Sequence, residues 1–195
     1  MSLKRLILLA ALLAGPAFAQ DAAPPADPAP LLDEARTALA AGEIGHARRA
    51  AEKAAASLAA AYGEAIRAVL PAPLDGWTLQ EGQATNLGVA AVGGGVVLDR
   101  SYQAADGTDV RIEIMADSDM VEQMAQMFVD PAMVAAMGLK TEVFNGETGI
   151  VEPSDGHITF IVDKRSSIVV SGSAPAEMKK AYAEKIDFAA FRAIK

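Results

Sequence analysis

Residues 115–137, which read MADSDMVEQMAQMFVDPAMVAAM, decide the fold of this chain. The stretch holds six of the eight methionines in the sequence. An alternating run at residues 110–115 leads into it, and a series of strand–turn–strand patterns follows it. This order predicts that the first half of the stretch is the main helix packed over an antiparallel sheet.

The helix start is marked by Asp117, Ser118 and Asp119. Short polar side chains cap the first free backbone N–H groups, and negative charge suits the positive end of the helix dipole. Pro131 cannot continue a helix, so the pattern predicts a helix over residues 118–129 and a second short helical turn after the proline.

Met120, Met124 and Met127 follow one another at i, i+4 and i+7, which places them on one stripe of the helix. We interpret this stripe first as core, since thioether side chains fill irregular space well. Two alternatives stay open. Soft thioether sulfur selects Cu(I), so the same three methionines are candidate ligands of a Cu(I) site. The stripe could also border an adaptable groove for a lipid or a peptide.

Further strand and helix patterns surround this stretch within residues 74–195. The Asp106-Gly107 and Asn145-Gly146 pairs each favour a tight turn between two strands. The sequence therefore predicts an α+β fold, with an antiparallel sheet and helices packed on one face. The predicted strands cover residues 77–79, 87–92, 96–103, 110–115, 141–144, 148–152, 157–162 and 168–173, and the last helices cover 175–186 and 188–194.

An alanine-rich helical hairpin is predicted ahead of this domain, over residues 31–70. Apolar positions that include Ala47, Leu58 and Val69 recur at helical spacing, and Gly42 can end the first helix. Small side chains allow close helix approach but bury little area, so the hairpin needs something to pack against. Its alanine seam is also a candidate homodimer interface.

Gly42, Ile44, Ala47 and Ala54 resemble the middle of a tetratricopeptide repeat, in which two alanines seven residues apart mark the point where the helices touch. The resemblance covers one hairpin. Because no second copy follows and repeats need neighbours to bury their faces, it implies a repeat-like hairpin without a transferred binding function.

Residues 71–73 mark the boundary between the hairpin and the α+β domain, since Pro71 and Pro73 break the helix. Residues 70–77 read LPAPLDGW. The phrase Leu-Pro-x-Pro-x-x-Gly-Trp resembles the opening of the Mog1/PsbP-like domains. That resemblance implies a binding or assembly module rather than an enzyme. The order of strands and helices is also similar to the small α+β folds of bacterial envelope proteins.

The N-terminus predicts a targeting signal. Residues 1–19 combine Lys4 and Arg5, a short apolar run and a small-residue cleavage site at residues 17–19, the pattern of a secretory signal peptide. The mature chain is therefore expected in the periplasm or outside the cell. Residues 20–30 are rich in proline and alanine and predict a disordered tether.

Composition narrows the classes of function. The chain has no cysteine, which excludes disulfides, thiolate metal sites and a thiol nucleophile. Its net charge of −8 repels nucleic acid and anionic membranes. After residue 19 no apolar run is long enough for a membrane span. A protein partner in the cell envelope is the expected ligand.

Neither histidine predicts a catalytic or metal site. Ser154, Asp155 and His157 lie on one turn, whereas the members of a triad come from separate elements. His46 adjoins Arg48 and Arg49 and is expected to be solvated. With two histidines and no cysteine, neither a zinc site nor a cofactor is expected. The sequence thus predicts a non-catalytic binding or scaffold protein, with a periplasmic Cu(I)-binding protein as the alternative.

Overall fold

The computed structural model describes residues 27–81, 85–86, 95–128 and 130–194. The predicted signal peptide, most of the predicted tether and the predicted strand at 87–92 lie outside these residues. The described helices are α1 Pro28–Ala40, α2 Ile44–Val69, α3 Asp119–Phe128, α4 Pro131–Ala136, α5 Ala176–Ala183 and α6 Phe188–Ala193. The described strands are β1 Trp77–Glu81, β2 Thr85–Asn86, β3 Val96–Ala104, β4 Asp109–Ala116, β5 Lys140–Phe144, β6 Glu147–Val151, β7 Ile158–Val162 and β8 Ser166–Ser171.

The strands form one antiparallel sheet in the order β1-β3-β4-β8-β7-β6-β5, and β2 also pairs with β3. This confirms the predicted α+β class with a preceding helical hairpin. The two predicted turns join β3 to β4 and β5 to β6, as expected. The sequence did not reveal that β4 pairs with β8, where Ile112 lies opposite Val170 and Ile114 opposite Ile168. That pairing joins the first hairpin to the last four strands.

One face of the sheet carries the main core. Alternate residues of β4 are fully buried, because the strand presents one side to the helices and the other to solvent. Helices α5 and α6 and the last turn of α2 cover this face. Buried members of the main core include Ile66, Leu70, Leu98, Tyr102, Ile112, Ile114, Ile158, Phe160, Ile168, Tyr182, Ile186 and Phe188.

Helices α3 and α4 add a smaller layer. Directly paired residues point to the same face of a sheet. Ile150 pairs with Thr159, and Ser167 pairs with Ile161, so all four alternate with main-core residues and point to the opposite face. Ile150 and Ser167 are nevertheless buried. Since α3 contacts β8 and α4 contacts β5, these helices account for that burial. The prediction placed the helices on one face; the main layer lies there, and α3 with α4 covers part of the other.

The junction between hairpin and sheet is packed into the main core. Leu70 is buried there, and the Tyr102 hydroxyl donates to the Pro71 carbonyl at 2.6 Å. The Leu74 N–H donates to the Tyr182 hydroxyl at 3.1 Å. The Tyr102 and Tyr182 rings are stacked, with their centroids 4.2 Å apart. Helix α2 therefore ends just before the predicted boundary at residues 71–73. Its last turn packs into the core of the α+β domain.

The hairpin buries its alanines internally. Ala47, Ala50 and Ala54 are buried on α2, which packs against α1. Leu58, predicted on the inner side, is exposed instead, because the buried stripe of α2 continues through Ala59, Gly63 and Ile66. The alanine seam is thus used within one chain, and a homodimer through the hairpin would use its exposed residues, which include Leu32, Leu39, Ile44 and Leu58.

The predicted tether ends earlier than residue 30. Pro28 and Pro30 belong to the first turn of α1, and the Asp27 carboxylate accepts a hydrogen bond from the Ala29 N–H at 3.0 Å. Proline is tolerated there because the first N–H groups of a helix have no partner within the helix. Among the described residues, no helix combines the length and the apolar character that a membrane crossing requires.

Candidate functional site

The start of α3 is fixed by contacts with the β7–β8 turn. The Ser118 N–H donates to the Arg165 carbonyl at 3.0 Å, and the Ser118 side chain is fully buried. The Arg165 guanidinium lies 3.4 Å from Asp117, 3.7 Å from Asp119 and 3.7 Å from Glu122. The backbone hydrogen bond and these exposed ion pairs join the start of α3 to the β7–β8 turn.

The buried side of α3 carries Val121 and Ala125, not the methionines. Met120 and Met124 are half-buried, and Met127 is 48% exposed. The interpretation of the methionine stripe as core is therefore wrong. Both stripes are apolar and lie about 100° apart around the helix, so spacing alone cannot separate them. The smaller Val and Ala side chains let α3 approach the sheet closely.

Helix α4 repeats the arrangement. The Asp130 carboxylate accepts from the Ala132 N–H at 2.8 Å and caps the helix, whose first residue is Pro131. Val134 is its buried residue. Met133 is 50% exposed and Met137 is 48% exposed. The short helix thus faces the protein with valine and presents its two methionines to solvent.

We use the name methionine surface for the partly or largely exposed apolar residues of α3, of α4 with its C-terminal end, and of β5: Met120, Met124, Met127, Met133, Met137 and Val143. Val143 lies on β5, the last strand in the sheet order, and is 66% exposed. Helix α4 contacts β5 and leads into it. Met115, the other methionine of the stretch, lies half-buried on β4 and is not part of this surface. Large apolar side chains that stay exposed together are typical of interaction sites.

The three candidate Cu(I) ligands, Met120, Met124 and Met127, all belong to the methionine surface. Their partial exposure leaves them open to a ligand, as a binding role requires. Met133 lies on the neighbouring helix α4 and Met137 at its C-terminal end, both beyond Pro131.

The Ser154, Asp155 and His157 cluster lies in the loop between β6 and β7. The Ser154 hydroxyl donates to Glu152 at 3.0 Å, while His157 Nδ1 lies 3.2 Å from the Asp155 carboxylate. The serine hydroxyl is therefore bonded to Glu152 and not to His157, so the Ser–His pair of a hydrolase is not formed.

His46 is not simply solvated. Its Nε2 lies 2.6 Å from Glu34, on α1, and its Nδ1 lies 3.2 Å from Glu43. Hydrogen bonds to Glu34 and then to Glu43 raise the pKa of His46 above its usual value. The histidine thus ties the first helix of the hairpin to the second.

A cleft of about 300 Å³ lies where α2 meets the sheet. Tyr62 lines it, and its hydroxyl donates to the Asp117 carboxylate; burial, then the Asp117 charge and this bond, raise the Tyr62 pKa to about 12. Arg192 lines it too and pairs with Asp163 at 3.1 Å and with Glu147. Because the charges around this cleft already pair with one another, we favour the methionine surface as the candidate site.

No known protein family, no curated protein and no solved structure matches this chain. The resemblances to the Mog1/PsbP-like domains and to the tetratricopeptide repeat therefore stay predictions.

Proposed function

We propose that this protein is a non-catalytic binding or scaffold protein of the bacterial cell envelope, secreted or periplasmic, that binds a protein partner through the methionine surface. One observation carries the proposal. Met127, Met133 and Met137 are about half exposed, while the main core is built without them.

The chemistry of this surface suits a protein partner. Methionine is unbranched and polarizable, so a group of methionines can repack around apolar side chains of different shapes. The surroundings are acidic, since Asp130 lies between the two helices and the chain carries a net charge of −8. A partner with an apolar segment and basic flanks would be complementary, because opposite charges steer association.

The proposed location rests on the pattern of residues 1–19. A positive start, a short apolar run and a small-residue cleavage site favour export followed by cleavage. A mature protein that begins at residue 20, found by mass spectrometry of the envelope fraction, would support export. An intact Met1 in that fraction would contradict it.

The binding proposal is tested on the full chain with two matched pairs of substitutions. Met133→Glu with Met137→Glu places charge on the methionine surface, whereas Leu39→Glu with Ile44→Glu places it on exposed apolar positions of the hairpin. We expect the first pair to abolish capture of an envelope partner and the second to leave it intact. Circular dichroism checks that both variants fold. Loss of capture by the hairpin pair alone would contradict the proposal.

The second candidate function is Cu(I) binding by Met120, Met124 and Met127. It is favoured by their partial exposure on one side of α3, since soft thioethers select Cu(I). The triple variant in which all three are Leu should abolish Cu(I) binding in a competition titration. The control is Met133→Leu with Met137→Leu, which keeps the proposed ligands. An unchanged titration in the triple variant would rule out this site.

A further inference from the structure

We propose that Glu152, Asp155 and His157 form a binding site for a divalent transition-metal ion of the Zn²⁺ type. The three residues lie in the loop between β6 and β7, away from the methionine surface in sequence. Each offers one ligand atom, and these atoms all lie within 4.8 Å of one another. The site is independent of the proposed partner and of Cu(I) binding.

The donor set determines the class of ion. One imidazole nitrogen with two carboxylate oxygens is intermediate between the thioethers that Cu(I) prefers and the all-oxygen sets that Ca²⁺ and Mg²⁺ prefer. Zn²⁺ takes such nitrogen and oxygen ligands in fours, so three side chains would leave a position for water. Cu²⁺ is expected to bind the same set more tightly, in line with the general order of divalent affinities.

The distances are close to those that an ion requires. Tetrahedral Zn²⁺ with bonds of about 2.1 Å places its ligands about 3.4 Å apart. His157 Nδ1 and the Asp155 carboxylate are already 3.2 Å apart. The Glu152 side chain is exposed, so it can complete the site by rotation of its own side chain.

Backbone hydrogen bonds and close packing hold the backbone of this loop. The Lys179 side chain is 2% exposed and donates from Nζ to the Asp155 carbonyl at 2.6 Å. Gly156 packs so closely on Ala176 that an added Cβ would lie 2.5 Å from the alanine methyl. The Glu152 N–H donates to the His157 carbonyl at 2.9 Å and closes the loop. The ligands therefore start from a fixed backbone.

The Lys179 ammonium also limits affinity, because it is a positive charge near the proposed cation. We therefore expect moderate affinity, weaker than that of closed structural zinc sites. Binding should weaken at acidic pH, since the ligands must be unprotonated to hold the ion.

His46 provides a matched control within the same chain. It is also a partly exposed histidine with two carboxylate neighbours. Glu34 and Glu43, however, contact opposite nitrogens of its ring, so the two carboxylates cannot converge with one nitrogen on a single ion. If Zn²⁺ bound non-specifically to any histidine beside carboxylates, it would bind at His46 and at His157 with similar affinity.

The test is a titration of the full chain with Zn²⁺, followed by calorimetry and by the NMR signals of both imidazoles. We expect saturable binding of one ion that shifts the His157 ring signals and leaves those of His46 in place. His157→Ala should weaken binding at least about tenfold, whereas His46→Ala should not change it. Glu152→Gln should also weaken Zn²⁺ binding. Because Glu152 is exposed, this variant keeps the fold and tests the site even if the histidine variant misfolds.

Two results would overturn the proposal. One is the absence of any Zn²⁺-dependent shift at His157. The other is an equal loss of affinity in the His46 and His157 variants, which would mean non-specific binding.

Discussion

In the β7–β8 turn, the backbone conformation of a single residue, Lys164, stores strain. Asp163 and Lys164 have φ of 49° and 60°, and the Arg165 N–H donates to the Val162 carbonyl at 3.2 Å. Two successive left-handed residues suit the right-handed twist of a hairpin and normally call for Asn and Gly. Lysine at the second position is therefore strained.

Lys164→Gly should stabilise the protein by roughly 0.5–1 kcal/mol, because relief of the left-handed strain outweighs the added freedom of the unfolded chain. Chemical denaturation measures this difference in unfolding free energy. The control is Lys53→Gly on α2, an exposed helical position with ordinary backbone angles, which should cost about 1 kcal/mol. Destabilisation by both substitutions would contradict the assignment of strain.

The two turns also show what a sequence can reveal. Asn145-Gly146 was predicted as a hairpin because both residue types accept positive φ, and both do adopt it. The Asp163-Lys164 turn carries no glycine, so the sequence predicts this turn too far along the chain, at residues 164–166. In the structure, strand β8 begins at Ser166, two residues before the predicted start. Other parts of the same chain bury Ser166 and Ser167. Because serine is polar, the sequence does not indicate this burial.

At the scale of elements, helices and strands were predictable where hydrophobic periodicity is unambiguous, as in β4 and α2. The orientation of α3 was not. Its Met120 stripe and its Val121 stripe are both apolar, and the structure buries the Val121 stripe through tertiary packing that the local sequence does not specify. The exposure of the methionine surface could therefore be seen only in the folded chain.

The α1–α2 hairpin should lose stability as the pH rises. The pKa of His46 is raised by its bonds to Glu34 and then Glu43, so the folded hairpin binds the proton more tightly than the unfolded chain. The stabilisation is fully present below the unfolded value of about 6.5 and is lost as the pH rises through the higher folded value.

Hydrogen exchange of the α1 amides, corrected for the intrinsic pH dependence of exchange, measures this effect. Opening of α1 should become more frequent between acidic and mildly alkaline pH. His46→Gln, which cannot titrate, should show no such change. The same pH dependence in this variant would mean that another group is responsible.

For the whole molecule, Tyr62 links the hairpin to the methionine helices, because its hydroxyl donates to Asp117 just before α3. Tyr62→Phe should lower the unfolding free energy by about 0.5–1.5 kcal/mol, the usual net value of such a bond. The raised pKa of Tyr62 also means that its contribution persists below about pH 10 and is lost as the pH rises from there towards about 12.

Asp117→Asn is the matched variant, since asparagine tolerates the left-handed backbone at this position and still accepts a hydrogen bond. It removes the charge, so the Tyr62 pKa should fall yet stay above its usual value because burial remains the largest cause. An ultraviolet titration of tyrosine ionisation follows this change. A Tyr62 pKa unaffected by Asp117→Asn would show that the two residues are not coupled.

The central claim, that the methionine surface is open in the isolated protein and covered by a partner in the cell, is tested most directly by methionine oxidation. Peroxide treatment and mass spectrometry give the oxidation rate of each methionine. Met178 is the internal reference, because it is half-buried against the main core.

In the purified protein, Met127, Met133 and Met137 should oxidise faster than Met178. In intact cells the same three should be protected relative to Met178, and a Cu(I) chelator should not remove the protection. Protection that the chelator abolishes would instead favour the copper site. Equal rates for all four methionines in the purified protein, or unprotected surface methionines in cells, would contradict the account.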